Sequence, residues 1–266
     1  MRYDRIEFDR TLVGASTSTF GREYDAVSWR VGSVYDLQPK TQLFAQYSSA
    51  VAPVGNFVLL SLANSRFDLT TGESVEAGIK SSFWNDHVDR TVSAYRIKQD
   101  DIITRDPSNP TLSVQGGSQS VRGIELSASG ALNDQLTIDA NYTALDARFD
   151  ELREAGGVSR AGNTPPRVPE TIGNLFVTYR LATAPLALTA GARHAGSFHT
   201  DTVNTVRVKG YTVYDASIRW TMPFGQLALH GRNLTDELYV DYSDVSSRQF
   251  QITAPRSIDL TLTVGF

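Results

Sequence analysis

Four histidines, two groups of acids and many serines are the residues of this 266-residue chain whose types could do chemistry. His87, His194, His199 and His230 show no His-x-x-x-His or Glu-x-x-His spacing, so they offer no helical metal-ligand set. Asp100, Asp101 and Asp106, and Asp146 with Asp150 and Glu151, could hold a calcium ion in a loop. They lack the alternating Asp-x-Asp-x-Asp-Gly spacing, which leaves solvated loop acids as the better reading. No Gly-x-Ser-x-Gly frames a serine nucleophile, and His194-Ala195-Gly196-Ser197 only approaches a membrane-barrel hydrolase pattern. Gly116-Gly117 precedes a strand pattern rather than a helix, so it makes no phosphate cradle. The sequons at Asn141 and Asn233 fall inside strand patterns and are discounted. Cysteine is absent, which removes disulfides and thiolate ligands. The sequence predicts no catalytic residue, no metal site and no cofactor.

The elements that must position any remaining function carry a period of two. Ile258, Leu260, Leu262, Val264 and Phe266 alternate with Ser257, Asp259, Thr261, Thr263 and Gly265. Such alternation gives a strand one apolar and one polar face. It recurs in Leu136–Thr143, Val75–Phe83, Val27–Asp36 and Tyr211–Met222. About twelve strands are expected, near residues 2–9, 25–36, 41–48, 74–83, 88–99, 119–129, 135–149, 170–181, 186–196, 211–222, 226–233 and 256–266. The segment 88–99 alternates poorly. The fold class is all-β: an antiparallel transmembrane β-barrel portion in which short turns alternate with long loops. The short turns are 37–40, 84–87, 130–134, 182–185 and 223–225, and the long ones 10–24, 49–73, 100–118, 150–169, 197–210 and 234–255. Trimmed turns on one rim and long loops on the other match a barrel with periplasmic turns and extracellular loops.

Composition narrows the reading further. A net charge of −4 with no basic stripe sets nucleic acid aside. The mean hydropathy of −0.24 and the lack of any long apolar run exclude a transmembrane helix but not a barrel, whose alternating strands average to such values. Met1 leads straight into Arg2-Tyr3-Asp4-Arg5, with no signal-peptide pattern. The polar faces hold Arg30, Lys80, Glu125, Arg193, Arg219, Arg232 and Asp259, bulky charges that a wide lumen tolerates and a filled core does not.

Four stretches resemble a known family in their order and spacing across residues 70–266. They are Arg122-Gly123-Ile124-Glu125-Leu126, Gly162-Asn163-Thr164-Pro165 through Val168-Pro169, Gly210-Tyr211-Thr212-Val213-Tyr214-Asp215-Ala216, and Arg232-Asn233-Leu234-Thr235-Asp236-Glu237-Leu238-Tyr239. Together they resemble the C-terminal half of a TonB-dependent outer-membrane receptor of the ferric-siderophore type. The resemblance implies a bacterial outer-membrane barrel of about twenty-two strands around an N-terminal plug. On that reading residues 1–266 are the C-terminal part of the barrel domain, and the plug, the TonB box and the first strands are absent. The Asn233, Leu234, Asp236 and Tyr239 motif reads as structural, because Asn and Asp cap backbone donors where a strand becomes a loop. Phe266, a terminal aromatic, is in such families an assembly signal.

The function implied is TonB-dependent uptake of a ferric siderophore. The expected partners are a ferric siderophore or similar metal chelate, outer-membrane lipid, the barrel-assembly machinery, and the TonB complex through the missing plug alone. Ligand contact is expected from loop aromatics and cations, which supply area and planar donors to an oxygen-rich complex. The candidates are Tyr239, Tyr242, Arg248 and Phe250, then Phe57 and Phe67. The alternatives are an autotransporter-like translocator barrel, which needs a lumen helix that residues 1–24 do not offer, and a porin or barrel hydrolase.

Overall fold

A computed structural model describes residues 1–13, 18–52, 67–83, 87–106, 108–109, 112–244 and 249–265. The strands in chain order are β1 (Arg2–Leu12), β2 (Ser18–Gln38), β3 (Thr41–Ala52), β4 (Thr70–Phe83), β5 (Val88–Arg105), β6 (Ser113–Ala131) and β7 (Leu136–Glu151). Next come the short β8 (Arg153–Glu154) and β9 (Val158–Ser159), then β10 (Thr171–Arg180) and β11 (Leu186–Ala195). The short β12 (Phe198–His199) and β13 (Arg207–Val208) precede β14 (Tyr211–Met222) and β15 (Gly225–Arg232). Last are β16 (Val240–Asp244), β17 (Gln249–Ile252) and β18 (Ser257–Val264). Twelve of these form one antiparallel sheet in the order β1-β2-β3-β4-β5-β6-β7-β10-β11-β14-β15-β18. The other six are three two-stranded hairpins within the long connections. β1 and β18 are the sheet's two edges, so the sheet is open.

Register fixes the faces. Leu227 pairs with Leu262 and Trp220, Leu229 with Leu260 and Ile218, and Leu188 with Ile218, so the apolar residues of neighbouring strands share one surface. That surface is exposed, with Ile258 at 69% and Leu260 at 68%. The opposite face pairs Arg30 with Ser48, Lys80 with Gln42 and Thr91, Glu125 with Ser93 and Thr143, and Arg219 with Ala187 and Ala228. A cavity of 780 Å³ lined from β2 to β7 lies on this polar face, which in a membrane barrel is the concave, lumen-facing one. Two ion pairs tie its strands together, Arg193–Asp215 at 3.1 Å and Arg232–Asp259.

Two expectations need correction. Residues 10–24 are not a long loop, because β1 runs to Leu12 and β2 begins at Ser18. There the convex face carries Arg5 and Glu23 as an ion pair, and the Tyr3 hydroxyl donates to Asp25. With both faces polar or mixed, pairing continues without an alternation to read. Likewise β5 and β6 climb through most of residues 100–118. The weak alternation of 88–99 has a cause too: Arg90 and Arg96 stand on the apolar face, opposite Ala128 and Arg122. Arg90 bonds to Ser81 Oγ at 2.7 Å and lies over the Phe83 ring at 5.2 Å.

Glycines in the sheet sit directly opposite aromatics. Phe44 faces Gly78, Tyr95 faces Gly123, Tyr142 faces Gly173 and Phe176 faces Gly191. The ring lies across the bare backbone and fills the space that a side chain would take. A Cβ on Gly123 would fall 2.6 Å from the Tyr95 hydroxyl oxygen and 2.8 Å from the carbonyl oxygen of Ala144. Gly123→Val is therefore expected to displace Tyr95 and cost about 1–3 kcal/mol. Heat-modified electrophoretic mobility should show a lower unfolding temperature, and an unchanged one would contradict this packing.

Candidate functional site

The long connections gather on one rim and hold each other by side-chain to backbone bonds. Asn204 Nδ2 donates to the Thr164 carbonyl at 2.8 Å, and its Oδ1 accepts from the Thr164 N–H at 2.8 Å. Asn163 Nδ2 donates to the Thr202 carbonyl at 2.9 Å. Arg160 pairs with Glu154 at 2.7 Å, and the Thr202 hydroxyl donates to the other Glu154 oxygen. The Arg167 N–H donates to the His199 carbonyl at 2.8 Å, while its guanidinium lies over the Tyr242 ring at 5.0 Å. Three connections, 152–170, 196–210 and 233–256, are thus joined. Both Asn204 (φ 62°) and Arg167 (φ 65°) adopt the left-handed region, which Asn tolerates and Arg enters only at a cost.

The turn after β15 is held by Asn233, which is 5% exposed with φ 48°. Its Oδ1 accepts from the Glu237 N–H at 2.9 Å, and its Nδ2 donates to the Glu237 carbonyl at 2.9 Å and the Ala254 carbonyl at 3.4 Å. Its own N–H donates to Asp215 at 2.9 Å. Asp236 Oδ1 accepts from the Arg256 N–H at 2.8 Å, which joins the turn to the start of β18. Leu234 packs over Gly231. The Tyr239 ring stacks on Tyr211 at 3.7 Å.

The candidate contact residues are not brought together as one patch. Tyr242 (44% exposed) pairs with Gln251, whereas Phe250 (52% exposed) pairs with Ser243, so the two alternate between faces of the β16–β17 hairpin. Tyr239 is engaged with Tyr211. Phe67 is 4% exposed beside Tyr24, whose hydroxyl donates to its carbonyl at 2.8 Å. Phe57, Arg248 and Phe266 lie outside the described residues. Arg167 went unnoticed in the sequence, although it falls within one of the stretches that carry the resemblance.

The family model described as TonB dependent receptor-like, beta-barrel matches residues 1–234. The chain belongs to this family. It is 27% identical over 260 residues to the probable TonB-dependent siderophore receptor PiuA of Acinetobacter baumannii, covering 90% of this chain and 34% of that one. It is 28% identical over 247 residues to the ferrichrome outer membrane transporter/phage receptor of Escherichia coli K12, covering 90% of this chain and 32% of that one. The crystal structure of the Acinetobacter baumannii siderophore receptor PiuA aligns with a TM-score of 0.85 at 26% identity, over 98% of this chain and 39% of that one. The chain thus spans about a third of the length of the curated relatives it matches. As a TonB-dependent receptor barrel it is an outer-membrane protein, with its apolar convex face in lipid, its short turns periplasmic and its joined loops exterior. The family is one of transport receptors, and membership sets aside the autotransporter-like and porin readings.

Two expectations follow from the rim. Asn233→Ala removes the side-chain bonds to Glu237 and Ala254 from a buried left-handed position, and should cost about 1–3 kcal/mol. A thermal-unfolding shift in detergent checks it, and Asn233→Ala melting with the wild type would contradict it. The second concerns Asp201. Its burial disfavours the charged form, but hydrogen bonds from the Thr205 hydroxyl and N–H and the Asn204 N–H, aided by the His199 ring, outweigh that and hold its carboxyl below the usual 3.8. A lowered folded value gives stability that is full above the unfolded value and lost as pH falls through the folded one. Protection of the 196–210 loop from an acid-active protease should therefore hold down to about pH 4 and decline below it. Asp201→Asn should flatten that dependence, and a profile identical to wild type would contradict the assignment.

Proposed function

We propose that the chain is the C-terminal part of the barrel wall of a receptor that takes up a ferric siderophore or similar metal chelate. A plug domain supplied outside residues 1–266 would carry the coupling to TonB. The observation that carries this reading is the likeness of nearly the whole chain, in fold and sequence, to a siderophore receptor. The charged concave wall and the tied exterior rim support it, because such a wall suits a wide polar lumen rather than a filled core. We read the chain as non-catalytic. We assign recognition by the barrel-assembly machinery to the apolar row Ile258, Leu260, Leu262, Val264 and Phe266.

Ligand contact falls first to Tyr242, with Arg167 over its ring; Arg248 and Phe250 are neighbours in the same connection. Tyr239, Phe57 and Phe67 are the weaker candidates. Deleting the gene should abolish binding and proton-motive-force-dependent uptake of the radiolabelled ferric siderophore that the cells import under iron limitation. Tyr242→Ala with Arg248→Ala should weaken binding about tenfold at unchanged surface level. Uptake that persists undiminished in the deletion strain would overturn the receptor reading.

A further inference from the structure

The convex face carries a groove that neither a plug inside the barrel nor further strands beside β1 and β18 would cover. Its volume is 500 Å³, and it crosses β5, β6, β7, β10 and β11 in the middle of the sheet. Register sets its course as a row across these strands: Arg90, Ala128, Ala140, Leu175 and Ala192. The next row toward the exterior forms its upper wall, with Val92, Leu126 and Tyr142, then Gly173 and His194. The first row begins at the third residue above the periplasmic end of β5 and rises one residue per strand, reaching the seventh of β11. Across the five strands it runs about 19 Å. The alanines of this row, with Gly173 beside Tyr142, make the depression. His194 closes its far end, bonded to Thr171 Oγ1 at 3.2 Å and Thr212 Oγ1 at 2.9 Å.

Hydrocarbon tails surround this face, and a depression in it either receives a tail or forfeits its packing contacts. Arg90 makes the occupant specific. It stands at the periplasmic end of the groove, where its Nε donates to Ser81 Oγ at 2.7 Å and its guanidinium lies over Phe83 at 5.2 Å. The adjacent Asp89 belongs to the lumen face and accepts from the Ser82 hydroxyl. Among the described residues the Nη groups of Arg90 meet no carboxylate, and their planar fork matches two phosphate oxygens. No Asp or Glu among the described residues lines the groove, so an ammonium headgroup would find no counter-ion there. Charge complementarity therefore selects a lipid that is anionic overall. Its leaflet follows from the chain, because β5 starts at Val88, directly after the short periplasmic turn and two residues before Arg90. We propose that the groove binds an acyl chain of an anionic phospholipid of the periplasmic leaflet, whose phosphate is held by Arg90. The inference needs only the outer-membrane setting of the convex face and does not depend on what the receptor takes up.

The test uses the protein purified from outer membranes of cells that make it from its own gene, reconstituted in phosphatidylcholine vesicles. The probes are traces of phosphatidylglycerol or phosphatidylethanolamine, each with a diazirine on one acyl chain. After illumination, labelled tryptic peptides are mapped by mass spectrometry. Phosphatidylglycerol should label residues 123–148, which include Ala128 and Ala140, about fivefold more than phosphatidylethanolamine does. Residues 257–266, whose strand also faces lipid but lies outside the groove, should show no such preference. Arg90→Gln should erase the preference, Arg90→Lys should keep part of it, and Ala140→Phe should weaken it by filling the groove. Equal labelling of 123–148 by the two lipids in the unsubstituted protein would overturn the proposal, as would an equal preference at 257–266. A preference that survives Arg90→Gln at unchanged heat-modified mobility would overturn it too. If the variants fail to fold, the comparison of lipids and peptides in the unsubstituted protein decides alone. Labelling of 257–266 but of no residue in 123–148 would mean that another protein covers the groove, and the lipid assignment would fall.

Discussion

Hydrocarbon offers backbone N–H and C=O groups no water, so every one of them must find a partner within the protein. The rest of this chain's architecture depends on that constraint. It makes antiparallel pairing continuous from β1 to β18, and pairing in turn fixes which residues share a face. It also explains the aromatics laid across glycines. Gly78, Gly123 and Gly191 leave gaps in the concave wall that Phe44, Tyr95 and Phe176 fill from the neighbouring strand, without breaking the ladder. Two edges remain, the outer side of β1 and that of β18. An edge in lipid is costly, which is the physical reason to place further strands of a longer barrel there.

The parts legible in the sequence are those where the two faces meet different media. From Val75 to Phe83 or Ser257 to Val264, lipid on one side and lumen on the other impose a strict alternation, and strand and face could both be read. Above the membrane the contrast vanishes. Residues 10–12 and 18–24 pair as well as any others, but Arg5, Glu23 and Asp25 are wet like the lumen side, so the period is lost while the hydrogen bonds continue. Strand β5 fails differently. Arg90 and Arg96 occupy apolar-face positions, and Arg90 does so by covering Phe83. Snorkelling side chains of this kind break a sequence pattern without breaking the structure.

The rim was least legible because its order comes from single side chains meeting backbone at long range. Nothing in Asp201-Thr202-Val203-Asn204 announces that Asn204 will bond the backbone N–H and carbonyl of Thr164, forty positions away in the chain. Aromatic and cationic content pointed to the 233–256 connection, and that connection does present Tyr242. Composition could not tell that Phe250 alternates to the other face of the same hairpin, or that Phe67 is buried beside Tyr24. Burial and register, rather than residue type, divide these candidates.

The clasp at Asn233 bears on how such a wall can work. One buried side chain joins the turn after β15 to the approach of β18, while Asp215 on β14 receives the same residue's N–H and also pairs with Arg193 on β11. Four strands therefore share one polar network at the exterior end of the ladder. Altering the pose of the 233–256 connection requires breaking bonds to buried groups, each costing about 1–3 kcal/mol. The connections 152–170 and 196–210 are bound to each other in the same manner, and Arg167 links them to Tyr242. A wall tied in this way is suited to hold a ligand in a fixed geometry rather than to carry it inward. On the receptor reading, the motion needed for passage then falls to the element inside the barrel, and the wall contributes shape and charge.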